Sequence, residues 1–451
     1  MSDIIAAIAT GRAPCAIGIL RLSGPGCAAL TGRVFTPKQP FADAPDRRLV
    51  LGLLHDRQGR VIDECLGVVC RAPHSYTGEE TVELQCHGSP AMLAAGLEAL
   101  LATGARQAGP GEFTRRAFLN GKLDLTQAEA VVDLIDAETA DAAANAAGQL
   151  GGALKRAIGP VYDGLTDLCS HFHAVLDYPD EDIEDFGAAE LSGALDRAGA
   201  ALQELLATYE KGRHLRLGVR AVLLGKPNAG KSSLLNRLAG YDRVIVTDIA
   251  GTTRDTVEEP VRVGRVLLRL TDTAGIREAG DAIEALGVAR SEQAAREAEL
   301  ALFVCDASQP LTDEDRRAIE AAKCAPRSLA LCNKSDLPAA VSPDELPFDT
   351  VLTVSARTGA GLDALPALLE GWFLGENACD GSLLTNPRQF GALDRASRAI
   401  ERAKTGLCLG VTPDAVLTDV EEAMAALGEV TGRTVREDIT NRIFERFCGG
   451  K

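Results

Sequence analysis

A glycine-rich segment in the middle of the chain has the residue types needed to bind phosphate groups. It reads Gly-Lys-Pro-Asn-Ala-Gly-Lys-Ser over residues 225–232 and follows an apolar run typical of a strand. Glycines at these positions let backbone N–H groups surround phosphate oxygens at the start of a helix. Lys231 could then reach the terminal phosphates, and the Ser232 hydroxyl could bind Mg²⁺. The predicted contacts from this segment are Asn228, Ala229, Gly230, Lys231, Ser232 and Ser233.

Three further motifs stand at the ends of predicted strands and indicate a guanine nucleotide. An aspartate at 272 can hold Mg²⁺ through water, and a glycine N–H at 275 can sense a γ-phosphate. The carboxylate of Asp336 can accept hydrogen bonds from both the ring N–H and the amine of guanine, which adenine cannot satisfy. A Ser-Ala-Arg segment suits contact with the guanine carbonyl. Together these motifs predict a GTP site that includes Asp272, Thr273, Ala274, Gly275, Asn333, Lys334, Asp336, Ser355, Ala356 and Arg357.

The group that would activate water for hydrolysis is less evident. Ras-like proteins place a glutamine directly after the Asp-x-x-Gly motif, whereas this chain has Ile276. The Asn228 side chain could coordinate a monovalent cation in the role of an arginine finger, or it could simply stabilise a local turn. The segment TDIAGTT offers backbone carbonyls, and the Thr253 hydroxyl could bind Mg²⁺. Its predicted contacts are Thr247, Asp248, Ile249, Ala250, Gly251, Thr252 and Thr253.

Hydrophobic spacing predicts the elements that position these residues. Residues 1–118 alternate short apolar runs with Gly and Pro, which predicts an α+β domain with a helix near residues 90–101. Residues 119–214 have helical spacing, and Thr126 and Glu129 resemble a capping box. Strands alternate with helices over 215–376, and helical spacing returns over 377–451. We therefore predict an all-α domain interrupted by an inserted α/β Ras-like P-loop G domain.

Composition limits the possible functions. A length of 451 residues suggests about three domains. The net charge of −17 disfavours nucleic-acid binding unless a local basic patch or a basic partner assists. Twelve cysteines without a CxxC pair predict reduced thiols. The start lacks the charge pattern of a signal peptide, and no apolar run reaches 18 residues, so we expect a soluble cytoplasmic protein.

Segments on both sides of the nucleotide motifs resemble one family. GILRLSG, PGEFTRRAFLNGKLDLTQAEA, LDYPDED and the ending CGGK are similar to the MnmE (TrmE) family of tRNA-modification GTPases. The resemblance covers nearly the whole chain. It implies an N-terminal domain that binds 5-formyl- or 5,10-methylene-tetrahydrofolate and forms a homodimer. It also implies K⁺-dependent GTP hydrolysis and a flavin-dependent partner, MnmG, with which the heterotetramer adds a carboxymethylaminomethyl or aminomethyl group to C5 of the wobble uridine of certain tRNAs.

The resemblance also assigns roles to individual residues. It gives K⁺ coordination to Asn228 and to the carbonyls of Thr247, Ile249 and Thr252, and Mg²⁺ to Ser232 and Thr253. Catalytic roles fall on Asn228, Lys231 and Glu284; from the residue pattern alone, Glu284 would be an exposed glutamate at the start of a helix. The folate contacts that the resemblance implies are Arg21, Glu83, Lys122 and Lys451.

The chain departs from the family pattern at Gly449 and Lys226, and its sequence disfavours two alternative functions. Gly449 replaces a branched residue in the C-terminal motif and is expected to loosen the tail. Lys226 stands where the family often has arginine, and we expect this change to have no consequence. A ribosome-assembly GTPase would need an RNA-binding module, yet the C-terminal segment is not basic. A folate methyltransferase with a vestigial G domain is disfavoured by the intact nucleotide motifs.

Overall fold

The computed structural model describes residues 3–11, 13–37, 39–177, 188–241, 258–272, 292–375 and 380–433. Within these residues the chain forms two compact units. The first comprises Met1–Val132, Leu150–Asp185 and Arg398–Lys451, and the second comprises Asp133–Gln149 and Phe186–Ser397. Each unit is discontinuous in sequence, as expected when one domain is inserted into another. The individual boundaries at 118, 214 and 376 stay predictions.

Helices occur in both units. In chain order they are α1 (Cys27–Thr31), α2 (Pro90–Ala102), α3 (Glu112–Leu119), α4 (Leu125–Ile135), α5 (Ala140–Leu150), α6 (Ala153–Asp177), α7 (Ala188–Ala207), α8 (Tyr209–Leu217), α9 (Lys231–Tyr241), α10 (Asp313–Ala322), α11 (Ala364–Phe373), α12 (Pro387–Leu409) and α13 (Pro413–Thr431). The predicted helix near residues 90–101 is therefore confirmed as α2. None of the helices in the described part of the chain combines the length and apolar character needed to cross a bilayer.

The first unit contains a mixed sheet of seven strands. They are β1 (Ile5–Ile8), β2 (Cys15–Ser23), β3 (Phe35–Pro37), β4 (Val50–His55), β5 (Val61–Cys70), β6 (Thr81–Gly88) and β7 (Arg106–Gln107), in the spatial order β3-β4-β5-β6-β2-β1-β7. Alternate residues of β6 are buried, with Val82 and Leu84 fully so, because helix α2 covers that face. The opposite side chains, including Glu83, stay partly exposed. The predicted α+β fold is confirmed.

The second unit contains a mostly parallel sheet of six strands. They are β8 (Val219–Leu224), β9 (Glu258–Val263), β10 (Val266–Asp272), β11 (Leu300–Asp306), β12 (Arg327–Asn333) and β13 (Val351–Thr353), in the spatial order β13-β12-β11-β8-β10-β9. Only the edge strand β9 runs antiparallel to its neighbour among these strands. Every residue of the central β11 is buried, since both faces of the sheet are covered. The predicted α/β class is confirmed.

The apolar core of this unit extends beyond the sheet and its helices. Ala142, Leu215 and Leu383, which lie outside or at the edge of the predicted G domain, belong to the same buried cluster as the strands. The amides of Asn145 and Gln149 donate to the carbonyl of Leu383 at 3.3 and 2.6 Å. Segments on both sides of the inserted domain therefore form part of its core.

Candidate nucleotide-binding site

The glycine-rich loop connects β8 to α9 and has the backbone shape that its sequence predicts. Gly225 and Gly230 have φ angles of 145° and 96°, and Asn228 lies in the left-handed region at 62°. A Cβ at Gly225 would lie 2.2 Å from the carbonyl oxygen of Val304, so the close approach to β11 requires glycine. The loop ends at the first turn of α9, where unpaired N–H groups favour an anion.

The lysine of this loop is already held in place. Lys231 Nζ donates to the carbonyl oxygens of Gly225 at 2.7 Å and Lys226 at 2.8 Å. These two carbonyls fix the ammonium group over the loop, where it can meet the terminal phosphates of a nucleotide. The next residues, Ser232 and Ser233, are exposed on the first turn of α9. The Ser232 hydroxyl therefore fits the predicted Mg²⁺ role.

The Asn333 side chain connects three of the predicted motifs. It is 1% exposed at the end of β12. Its Nδ2 donates to the buried Ala229 carbonyl at 2.9 Å, and its Oδ1 accepts from the backbone N–H of Ala356 at 2.9 Å. The phosphate loop and the two segments that are predicted to read guanine are therefore joined through one amide.

The carboxylate that is predicted to read the base is oriented by its neighbours. Ser355 Oγ donates to Asp336 Oδ1 at 2.6 Å, and Arg357 Nε lies 3.6 Å from Asp336 Oδ2. The Ser355 hydrogen bond holds the pKa of Asp336 below its usual value, and the Arg357 charge acts in the same direction. Asp336 is therefore ionised at neutral pH, as an acceptor for two guanine donors must be.

Sequence reasoning missed two residues, Asp306 and Arg237, which contact the segments that are predicted to read guanine. Lys334, at φ 64°, donates from Nζ to Asp306 Oδ2 at 2.6 Å, and Asp306 is 4% exposed. Burial opposes ionisation of Asp306, but hydrogen bonds from Lys334 and Ser308 outweigh it and lower its pKa. Arg237 of α9 donates from Nε to the Ala356 carbonyl at 3.1 Å. Asp306 ends an apolar run, as Asp272 and Asn333 do, and that signal could have identified it.

A second group of predicted residues lies in the first unit. Arg21 of β2 faces Glu83 of β6 in the sheet, and its Nε donates to Glu83 Oε1 at 2.8 Å. The Arg21 guanidinium also lies 5.7 Å from the ring centroid of Tyr76. Lys122 Nζ donates to the carbonyl of Pro73 at 3.2 Å. Pro73 and Tyr76 both lie in the loop between β5 and β6, so Arg21 and Lys122 contact the same short loop. Glu83 is connected to this loop through its hydrogen bond with Arg21.

Comparison with known proteins identifies the family. The model of the MnmE helical domain matches residues 125–448, and that of the GTP-binding protein TrmE N-terminus matches residues 4–122. The tRNA modification GTPase MnmE of Roseiflexus sp. is 45% identical over 465 residues, covering 100% of this chain and 99% of that protein. The MnmE proteins of Chloroflexus aurantiacus and Aquifex aeolicus are 43% and 41% identical, each covering 100% of both chains.

The chain belongs to the MnmE family of tRNA modification GTPases. A much looser match is the solved G domain of the T. maritima FeoB iron transporter, with 22% identity, a TM-score of 0.25, and coverage of 33% of this chain and 94% of that one. That match supports no conclusion. Membership of the MnmE family confirms the predicted family and the GTPase class.

Several residues to which the MnmE resemblance assigns roles lie outside the described part of the chain. For Asp272 only the backbone is described, where it pairs with Leu223 of β8. All the assigned site roles stay predictions. The predicted site residues that lie outside the described part of the chain are Thr247, Asp248, Ile249, Ala250, Gly251, Thr252, Thr253, Thr273, Ala274, Gly275, Glu284 and Lys451.

Proposed function

We propose that this chain is a K⁺-dependent GTPase that modifies C5 of the wobble uridine in certain tRNAs together with a flavin-dependent partner of the MnmG type. The added group is carboxymethylaminomethyl or aminomethyl, with its one-carbon unit taken from 5-formyl- or 5,10-methylene-tetrahydrofolate. Membership of the MnmE family supports this function, and we place it in the cytoplasm. The observation that carries the proposal is the joined nucleotide site, in which Asn333 connects the phosphate loop to the guanine-reading segments.

The phosphate loop has the groups that GTP requires. Lys231 presents a fixed ammonium group to the terminal phosphates, and the N-terminus of α9 presents backbone N–H groups. Ser232 and Thr253 would hold Mg²⁺, which offsets the phosphate charge. Asp336 reads the base through its ionised carboxylate. These residues bind and orient the nucleotide before any bond is broken.

Asn228 is the residue that we assign to K⁺. It is exposed on the loop, and its side-chain oxygen is a neutral ligand suited to a monovalent cation. The positive charge of K⁺ would stabilise the charge that develops on the phosphate oxygens. Thr247, Ile249 and Thr252 would supply carbonyls to the same ion. Glu284 would orient the attacking water.

The Arg21–Glu83 pair supports a folate site in the first unit. The two side chains are 23% and 28% exposed, so a ligand can reach them. The Glu83 carboxylate suits the amino and ring N–H donors of a pterin, and cationic Lys122 and Lys451 suit the glutamyl carboxylates. The nearby Tyr76 ring, 40% exposed, offers an apolar surface to a flat heterocycle.

An exposed apolar row on the N-terminal sheet supports a homodimer. Leu49, Leu51 and Leu53 are 51%, 55% and 37% exposed and alternate along β4 and the residue before it, so they share one face of the sheet. Leucines in such a row are typical of an interaction surface. We assign this face to a second copy of the chain.

The proposed function is tested by two linked measurements. The purified chain should hydrolyse GTP much faster in KCl than in NaCl, and Asn228→Ala should remove the difference. Nucleoside analysis of tRNA from a deletion strain should show unmodified wobble uridine, restored by the native gene and not by Asn228→Ala. Equal hydrolysis rates in the two salts would contradict the K⁺ mechanism. Fully modified tRNA in the deletion strain would contradict the role in modification.

A further inference from the structure

A buried ion pair connects the phosphate loop to the start of α10. Lys226, the second residue of the loop, places Nζ 2.9 Å from Asp315 Oδ2. The side chains are 11% and 0% exposed. Neither group can be solvated fully by water, so each depends on the other for compensation of its charge. Lys226 lies on the loop itself, whereas Asp315 is 89 residues away in sequence.

The carboxylate of Asp315 has little freedom to move. Its Oδ2 accepts from the backbone N–H of Thr312 at 2.9 Å, and Thr312 Oγ1 accepts from the backbone N–H of Asp315 at 3.4 Å, so the two residues form the capping box of α10. The Thr312 hydroxyl also lies 2.7 Å from Oδ2 and can donate to it. Its Oδ1 is buried and has no hydrogen-bond partner among the described residues. Asp315 is therefore a fixed anchor, and loss of Lys226 would leave it buried without a cationic partner.

The loop is anchored on its other side as well. The Ala229 carbonyl accepts from Asn333 Nδ2 at 2.9 Å. Between the two anchors lies Asn228, whose φ of 62° is in the left-handed region, which Asn adopts more readily than most residues with a side chain but still at some cost in free energy. The surrounding structure helps to hold this conformation. Lys226 and Ala229, two residues before Asn228 and one after it, are the fixed points that do so.

We propose that Lys226 and Asp315 are positioning residues that hold the phosphate loop in its nucleotide-binding shape. Neither residue needs to touch the nucleotide. The pair fixes the loop backbone before phosphate binds, so the binding free energy is not spent on ordering the loop. The carbonyl of Lys226 also holds Lys231 Nζ, so a shift of the Lys226 backbone would displace the lysine that meets the phosphates.

The test compares nucleotide binding by matched variants of the full-length protein. Lys226→Met keeps the length of the side chain and removes its charge, Lys226→Arg keeps the charge, and Arg213→Met removes a different partly buried ion pair, with Glu299, in the same unit. Glu299 precedes β11 and therefore lies at the opposite end of the sheet from the phosphate loop. Affinity and dissociation rate are measured with fluorescent mant-GDP, and amide hydrogen exchange is measured over residues 225–230.

We expect Lys226→Met to bind mant-GDP about tenfold more weakly, a loss of roughly 1.4 kcal/mol, with faster dissociation and faster exchange of the loop amides. Lys226→Arg should bind nearly as the native chain does, and Arg213→Met should lower thermal stability without changing affinity. Native affinity in Lys226→Met would overturn the proposal. Equal losses in Lys226→Met and Lys226→Arg, or in Lys226→Met and Arg213→Met, would also overturn it.

If Lys226→Met does not fold, Asp315→Asn gives the same information with a smaller change in shape. It keeps a side chain that can accept from Thr312 while removing the negative charge that Lys226 requires. Weaker mant-GDP binding with faster exchange over residues 225–230 would support the proposal. Unchanged binding and exchange would overturn it.

Discussion

Asn333 Nδ2 donates to the carbonyl of Ala229 across 104 residues of sequence, and the same side chain accepts from the backbone of Ala356. One buried amide thus connects the loop that is predicted to hold phosphate to the segments that are predicted to read the base. The carbonyl of Ala229 and the N–H of Ala356 would both lose a hydrogen-bond partner without it. In the proposed site, phosphate affinity and base recognition would therefore depend on a shared residue.

The first prediction follows from this connection. Asn333→Ala should weaken the binding of both GDP and GTP by roughly 1–3 kcal/mol, because it leaves two buried backbone groups unsatisfied. Titration with mant-GDP and mant-GTP measures the loss. Asn145→Ala is the matched control, since Asn145 is also 1% exposed in the same unit and donates to Leu383. The control should lose stability but keep nucleotide affinity; equal losses of affinity in the two variants would contradict the prediction.

The second prediction concerns the choice of base. Asp336→Asn replaces an acceptor with a side chain that also donates, so one guanine donor then meets an amide donor. The selectivity for guanine should fall by roughly 2–4 kcal/mol. Xanthosine diphosphate, which has a carbonyl where guanine has its amine, should bind relatively better. Competition between the two diphosphates measures the change, and an unchanged preference would mean that Asp336 does not read the base.

The third prediction separates the two ligand sites of the proposed function. Glu83→Ala should weaken tetrahydrofolate binding and leave K⁺-stimulated GTP turnover unchanged, since Glu83 pairs with Arg21 in the first unit. Asn228→Ala should show the reverse pattern. Both should abolish modification of the wobble uridine in cells. Calorimetric folate binding and GTP turnover are measured on the same preparations; full folate affinity in Glu83→Ala would remove it from the site.

The fourth prediction concerns acid stability. Burial opposes ionisation of Glu299, but hydrogen bonds from His214, Arg213 and the backbone of Arg220 lower its pKa from 4.5 to about 2. A lowered pKa stabilises the folded state fully above pH 4.5, and this contribution, about 3 kcal/mol, is lost as the pH falls toward 2. Glu299→Gln should therefore be less stable than the native chain at pH 7, with a difference that shrinks below pH 4.5.

Urea unfolding followed by tryptophan fluorescence provides the measurement for Glu299→Gln. Trp372 is the single tryptophan of the chain and lies in α11 of the second unit, so its signal reports on that unit. The free energy of unfolding of both proteins is compared at several pH values between 7 and 3. A stability difference that does not change with pH would show that the Glu299 carboxylate does not titrate as described.

Local patterns in the sequence predicted much of the fold and part of the site. Strands β8, β10, β11 and β12 were predicted because each is a mostly apolar run that ends at a polar motif. One local prediction was wrong: Thr126 and Glu129 do not form the capping box of α4. The box is formed two residues earlier by Asp124 and Gln127, whose side chains each accept from the other's backbone N–H at 2.9 and 3.0 Å. Asp124 was overlooked because the helix begins at Leu125, two positions earlier than a Thr126 cap requires.

The contacts that complete the site could not be predicted from local patterns. Asp315 reaches Lys226 only because β11 lies between β8 and β12, and the spatial order of strands is not encoded in any short segment. The same holds for the hydrogen bond between Asn333 and Ala229. The sequence motifs indicated the groups that we propose bind the nucleotide, whereas the tertiary structure shows which residues hold those groups in place.

The shared core of the second unit has a practical consequence for fragments of this protein. A fragment cut at residues 215 and 376 would lack Ala142 and Leu383, which belong to the same buried apolar cluster as the sheet. Without these two side chains, part of that apolar cluster would be exposed to water. Nucleotide affinities or hydrolysis rates measured on such a fragment would include the cost of that exposure. A recombinant G domain that keeps residues 133–149 and 186–397, joined by a short linker, would retain its own interior.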